Sequence, residues 1–411
     1  MSQIGNSSPL APFRISNYRN LWFSDVLSLW SFEMETLIIS WYVLVQTDSA
    51  LMVGIVNALR FLGTLISPVL GVFVDRLSKR DVIVAMRVVF AVVAISIVAI
   101  DYFDALQVWH LFIAAGVSGL LRAPEMVVRQ SLIADSVPRE LLVKAIGLNR
   151  ITMDSSKAVG AVAGAGAMVA VGIGNAYLII ALMYLGSIAS SLRIKALARA
   201  LRERTSALKE LWSGVEHIRE SPVLTGLMGI AFFANLTAFP LTQGFLPMYA
   251  RDVFGLGEVG LAQFIASGAI GALVGSVAVG LLPNRHPART MLGGIILWHF
   301  FLLGFAVAPN LLTAHVLMFL GGLTSSFGMI AVAGLLLGRA HPDFRGRVMG
   351  VRMLAVYGLP IGLLVGGAMI EAIGVRETLV CFAGVGLLAF AFESIRWGAR
   401  VRRDPESTGV N

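Results

Sequence analysis

Among the ionisable side chains that stand in apolar stretches of this chain are Asp25, Glu33, Glu35, Arg60, Arg122, Glu125, Arg129, Arg150, Asp154 and Lys157. A charge in such a setting costs a few kcal/mol on insertion scales, so it is kept where it finds a partner or performs a task. Proton exchange is one such task. Desolvation favours the neutral form of a carboxylate and a nearby cation favours the charged form, so a carboxylate held between the two responds to its neighbours. Glu33 and Glu35 are the candidate proton-exchanging groups, with Arg60, Arg122 or Lys157 as the cation that tunes them. The competing reading is a permanent set of salt bridges that only holds the segments together.

Spacing sorts these residues. On a helix Arg150, Asp154 and Lys157 form one stripe at i, i+4, i+7, and Arg122, Glu125 and Arg129 form another at i, i+3, i+7. Each stripe neutralises itself in part. Glu33 and Glu35 lie about 200° apart on a 3.6-residue turn, so they face different neighbours. Glu33, Glu35, Arg60, Arg122, Glu125, Asp154 and Lys157 therefore make up the candidate coupling set, and Asp25, Thr36, Asn57, Asn235, Gln243, Ser267 and Tyr357 the candidate substrate contacts. The second half of the chain has neutral polar groups and almost no charge inside its apolar runs, and Ala269 takes the place equivalent to Arg60. For those neutral groups, ordinary hydrogen bonding between helices is an equal alternative. Phe232, Phe233, Phe239, Phe245 and Tyr357 are candidates for an apolar lining, although aromatic residues in membrane helices more often face lipid or pack against other helices.

The elements that position these residues follow from composition. Of 411 residues, 57% are hydrophobic and 14% charged, with a mean hydropathy of +0.81, far from the roughly 25% charged of soluble domains. Apolar runs of roughly 20 residues, long enough to cross hydrocarbon about 30 Å thick, recur near 20–46, 51–73, 81–101, 108–131, 144–171, 174–195, 223–250, 258–282, 289–308, 312–337, 347–372 and 376–397. The expected fold is an all-α membrane protein of twelve transmembrane helices in two pseudo-symmetric six-helix bundles. Lys and Arg concentrate in loops after even-numbered spans, which puts both termini in the cytoplasm. The expected divisions are 1–192 for the first bundle, 193–222 for a cytoplasmic linker, and 223–411 for the second bundle and a short tail. In the linker, Leu208, Leu211, Trp212, Val215 and Ile218 recur at helical spacing and suggest an amphipathic helix. The single cysteine, Cys381, lies in an apolar run and reads as a small buried hydrophobe. Bends are expected at Pro68, Pro240 and Pro360.

The two halves resemble each other: GVFVDRLSKR at 71–80 aligns with GLLPNRHPAR at 280–289, a pattern of parallel duplication with a substrate site between the halves. GVFVDRLSKRD at 71–81 also resembles the loop between spans two and three of the major facilitator superfamily. NYRNLWFSDVLSLW, RQSLIADSVPREL at 129–141 and FRGRVMGVRMLAVYGLP at 344–360 resemble its drug:proton antiporter branch, which contains siderophore and macrolide exporters. The resemblance covers nearly the whole chain. It implies a secondary transporter of the inner membrane, working as a monomer without a cofactor, that exports a lipophilic or amphipathic small molecule in exchange for protons. It also implies a cytoplasmic gate at Asp75, Arg76, Arg80, Arg129, Arg345 and Arg347, although the basic residues also set topology. One departure stands in span five, where the Gly-Pro pair common in antiporters is replaced by Gly160 and Ala161; Gly160, Gly164 and Gly166 still permit close packing. Import or lipid flipping on the same scaffold is the alternative. A membrane-embedded enzyme or sensor is disfavoured, since no phosphate-binding loop, metal-ligand spacing or nucleophile motif is present. The net charge of +8 fits topology signals rather than nucleic-acid binding.

Overall fold

The computed structural model describes residue 8 and residues 10–64, 78–195, 207–282 and 286–403. The described elements are helices: α1 (Ser16–Thr47), α2 (Ala50–Leu59), α3 (Lys79–Tyr102), α4 (Val108–Ser136), α5 (Arg139–Leu192), α6 (Ala207–Glu220), α7 (Pro222–Thr237), α8 (Glu258–Leu281), α9 (Pro287–Ala306), α10 (Leu311–Arg339), α11 (Arg345–Ala355), α12 (Gly358–Ile373) and α13 (Val375–Arg403), with short 3-10 turns at Ala11–Arg14 and Pro342–Phe344. Among the described residues, nine helices are long and apolar enough to cross a membrane. The 32 residues of α1 are not among them, because its carboxylates and serines dilute its hydropathy.

Local chemistry sets where several helices begin and bend. Ser78, Ser221 and Asn310 accept from the backbone N–H groups of Asp81, Leu224 and Thr313 and so cap α3, α7 and α10. The 54-residue run of α5 contains one non-helical residue, Gly172, at φ 78° and ψ 174°. A side chain disfavours that conformation, so glycine allows two helices to meet there, where the sequence separates its fifth and sixth spans. The helix that starts at Pro222 continues past Pro240 through π turns at Leu241–Phe245 and Tyr249–Val253. The expected break near Pro360 falls slightly earlier, at the turn of Val356 and Tyr357 that separates α11 from α12. Pro68 lies outside the described residues.

Contacts divide the chain into two compact units, one of Met1–Gln46 with Leu59–Arg204 and one of Thr47–Ala58 with Thr205–Asn411. In the first, α1 packs on α5 through glycines. A Cβ at Gly160 would stand 2.6 Å from the Glu33 Cβ, and one at Gly164 would stand 2.9 Å from the Met34 Cα. Gly166 faces open space, so only two of the three small residues serve this contact. One end is filled by Tyr18, Leu21, Ile83, Leu132 and Ala145, where the Tyr18 hydroxyl donates to the Ala145 carbonyl at 3.1 Å.

The second unit includes the start of α2. Gly54 meets the Leu363 carbonyl, Glu371 of α12 accepts from the Ser49 hydroxyl and from the Leu51 N–H at 3.1 Å, and Arg251 pairs with Asp48 at 2.7 Å. Within this unit α6 rests on α11: Gly214 touches Arg347, and His217 stacks on Phe344 at 4.5 Å. Ile218 is buried there while Trp212 points outward. Cys381 is exposed, not buried, because it lies on the outward side of α13 with Val380, Val385 and Leu388.

Candidate functional site

The charged residues of the first unit converge because two backbones touch. The helical run of α2 ends at Leu59, and Arg60 and Phe61 form a turn before Gly63. A Cβ at Gly63 would collide with the Gly119 and Leu120 carbonyls, and one at Gly119 with Leu59 and Arg60. Only glycine allows this approach, which sets Arg60 beside the turn of α4 that carries Ser118 and Arg122.

There the Phe32 ring of α1 lies near two guanidinium groups. Arg60 is 5.1 Å and Arg122 4.2 Å from its centroid, within cation–π range. Arg60 donates through Nη1 to the Thr36 hydroxyl, whereas its Nε and Nη2 are buried with no hydrogen-bond partner among the described residues. Glu35, 2% exposed, accepts from the Ser118 hydroxyl at 3.4 Å, and the charges of Arg60 and Arg122 reach it. Tyr177 and Tyr184 of α5 are near enough to sense that carboxylate. Glu33 turns the other way, toward Gly160, and among the described residues nothing bonds to its carboxylate. The opposed directions of Glu33 and Glu35 are those that helical geometry requires.

A second knot adjoins the first and centres on Arg87 of α3. Fully buried, Arg87 pairs with Asp25 at 2.5 Å and lies 3.7 Å from Glu125, and it donates to the Ser24 and Ser191 hydroxyls. Glu125 also takes Arg122 at 2.7 Å and the Ser28 hydroxyl at 3.3 Å. Arg129 is buried beside the same carboxylates and donates to the Met153 sulfur at 3.3 Å. Sequence reasoning did not single out Arg87. The signal was present: an arginine two turns into a run of Val, Ile, Ala and Met that has no polar neighbour of its own.

The other candidates divide as follows. Asp154 is held by Arg150 at 2.8 Å, while Lys157, third in that stripe, is exposed. Asp25, a candidate substrate contact, is committed to Arg87, and Thr36 serves Arg60. Asn57 and Asn235 donate to carbonyls of their own helices, at Val53 and Ala231. Gln243 sits in a π turn, Ser267 bonds His315 at 2.9 Å, and the Tyr357 hydroxyl has no hydrogen-bond partner among the described residues. Phe245 is fully buried in contact with Phe382, so it packs a core rather than lining a cavity. Of the gate candidates, Asp75 and Arg76 lie outside the described residues. Arg80 pairs with Asp81, Arg345 is exposed, Arg347 covers the Phe344 ring, and Arg129 belongs to the buried knot.

Polar groups are thus concentrated in the helix interiors of one unit, with charge paired across α1, α3 and α4 and left partly unpaired at Arg60, through Nε and Nη2, and at Arg129, through Nε. A family model described as Major Facilitator Superfamily matches residues 21–357. Solved structures share the fold at low identity. A bacterial homolog of the human lysosomal transporter Spinster has 13% identity and a TM-score of 0.73, with 92% of this chain and 96% of that chain covered. The nucleoside transporter NupG has 14% identity and a TM-score of 0.70, with 90% and 99% covered. The POT family transporter PepTSo has 12% identity and a TM-score of 0.75, with 95% and 99% covered. No curated protein matches the chain in sequence.

Proposed function

We propose, from the fact that this chain belongs to the major facilitator superfamily, that it exports an amphipathic small molecule in exchange for protons by alternating access. It is a multi-pass membrane transporter and not an enzyme; direction, coupling and substrate are the reading argued here. Twelve spans result when α1, the apolar helix Ala50–Thr64 and the two arms of α5 on either side of Gly172 are each counted with the other apolar helices. The basic loops then face the cytoplasm of an inner membrane, with both termini on that side, and the protein acts as a monomer of two six-helix bundles joined by the segment 193–222.

One observation carries the coupling. Glu35 is buried with a single long hydrogen bond from Ser118, in the field of a cation, Arg60, that is itself half-satisfied. A carboxylate so placed can exchange its proton as the surroundings change. Glu33 lies against Gly160, with no partner among the described residues, and lacks that setting. Asp25 and Glu125 are locked by Arg87 and Arg122 and serve as structure.

The test is transport in proteoliposomes under an imposed pH gradient. Glu35→Gln removes the dependence of transport on the gradient while the protein stays folded, and Glu33→Gln preserves it. If both variants keep the gradient dependence, the carboxylates are a static scaffold and the coupling reading fails.

A further inference from the structure

We propose that Arg60, Arg122 and Phe32 bind an anionic group of the transported molecule, a carboxylate or phosphate attached to an apolar body. The inference rests on the transporter reading above and adds the substrate class.

Three observations carry it. The first is the orphaned edge of Arg60. With Nη1 given to Thr36, its Nε and Nη2 point along the side of the guanidinium that receives two oxygens of a carboxylate or phosphate at once. The residue is 7% exposed, and buried donors left unbonded in a native protein call for a partner. The second is the charge balance. Asp25, Glu35 and Glu125 supply three carboxylates to Arg60, Arg87, Arg122 and Arg129, while Asp154 is already taken by Arg150. The cluster thus holds one positive charge more than it neutralises, and binding an anion removes that excess. The third is access with an apolar face. Phe32 and Arg122 are the partly exposed members of the set, so an arriving molecule meets a ring and a guanidinium first, with Arg60 behind them. Glu33 faces Gly160 on another side of α1, so a cationic group arriving at Phe32 and Arg122 would find Glu35, and that carboxylate already lies in the fields of Arg60 and Arg122. The electrical driving force agrees with export, because an inside-negative potential pushes an anion outward.

The test compares one skeleton in four charge states: 1-naphthoate, 1-naphthyl phosphate, 1-naphthamide and 1-naphthylmethylamine, titrated onto the full-length protein in lipid nanodiscs with thermal stabilisation as the readout. The two anions are expected to bind at least tenfold more tightly than the amide, and the amine more weakly still. Arg60→Gln and Arg122→Gln should each abolish the preference for anions, and Arg60→Lys, which keeps the charge but not the two-pronged edge, should restore part of it. The ligand-free unfolding temperature of each variant separates lost binding from lost folding, and Arg60→Lys serves if Arg60→Gln does not fold. Equal stabilisation by the amine, no stabilisation by either anion, or anion binding that survives both substitutions overturns the proposal. Counterflow of the same compounds in proteoliposomes separates the two levels. Movement without charge preference leaves the transporter reading standing and removes the anion site. Arg60-dependent anion binding without movement keeps the site and removes the reading that the anion it binds is the molecule exported.

Discussion

The two units solve the same packing problem with different chemistry. In the first, Gly63 and Gly119 let the end of α2 touch α4; in the second, Gly271 and Gly322 let α8 touch α10, with the Phe319 and Gly268 carbonyls where side chains would stand. At the first contact the neighbouring residues are Arg60 and Arg122. At the second they are Ala269 and Ser326, whose hydroxyl donates to the Ala272 carbonyl at 2.7 Å. Elsewhere in the second unit the buried polar groups are neutral, such as Thr237 bonded to His299 at 2.9 Å, with Gly386 leaving space for the imidazole. Close backbone contact is thus shared, and among the described residues fully buried Asp, Glu and Arg belong to the first unit alone. Structure in the second unit needs ordinary hydrogen bonds, whereas the first holds charges whose removal is costly and whose partners are incomplete.

The sharpest way to break this contrast is Arg87→Met. It leaves Asp25 and Glu125 with less counter-charge in a dry interior, and removing one member of a buried ion pair costs on the order of 3–5 kcal/mol. The expected result is loss of monodisperse folded protein, or a large fall in unfolding temperature, partly restored when Asp25→Asn is combined with it. A small effect would mean that the network is solvated and the contrast between units overdrawn.

Gly119→Val and Gly322→Val form a matched pair. Each places a side chain against backbone of a facing helix, and overpacking of this kind costs about 1–3 kcal/mol. Similar losses of thermal stability are expected. Gly119→Val should in addition abolish ligand binding, because it displaces Arg60, while Gly322→Val should leave binding close to wild type at a temperature where both are folded. Equal loss of binding in the two would show that the site is not confined to the charged unit.

Much of this was legible in the sequence because a charge in an apolar run is conspicuous. Glu35, Arg60, Arg122 and Glu125 were identifiable from type and position, and the separation of Glu33 from Glu35 from helical geometry alone. What escaped depends on tertiary contact. Arg87 gains its meaning from Asp25, Ser24 and Ser191 on other helices, and no local pattern joins them. Gly63 and Gly119 read as ordinary small residues until the carbonyls opposite them are known. The grouping of Thr47–Ala58 with the second unit was equally invisible, since it rests on Gly54 and Glu371 finding partners more than 300 residues away in sequence. Cys381 misled for the converse reason: in a membrane helix apolar surroundings in sequence do not mean burial, because the outward face is apolar too.

The smallest expected effects test the neutral side of the comparison. Thr237→Val removes the hydroxyl that His299 meets through Nε2, while the Nδ1 side remains bonded to the Ile295 carbonyl at 2.9 Å. Hydrogen bonds between membrane helices are worth about 0.6 kcal/mol on average, so unfolding temperature should fall slightly and transport should keep its dependence on the proton gradient. Lys157→Gln, at an exposed position with no ion pair among the described residues, should change stability by less than about 0.5 kcal/mol. Should Thr237→Val instead uncouple transport from protons as Glu35→Gln is expected to do, then His299 takes part in coupling, and the assignment of charge to one unit and shape to the other fails at its neutral end.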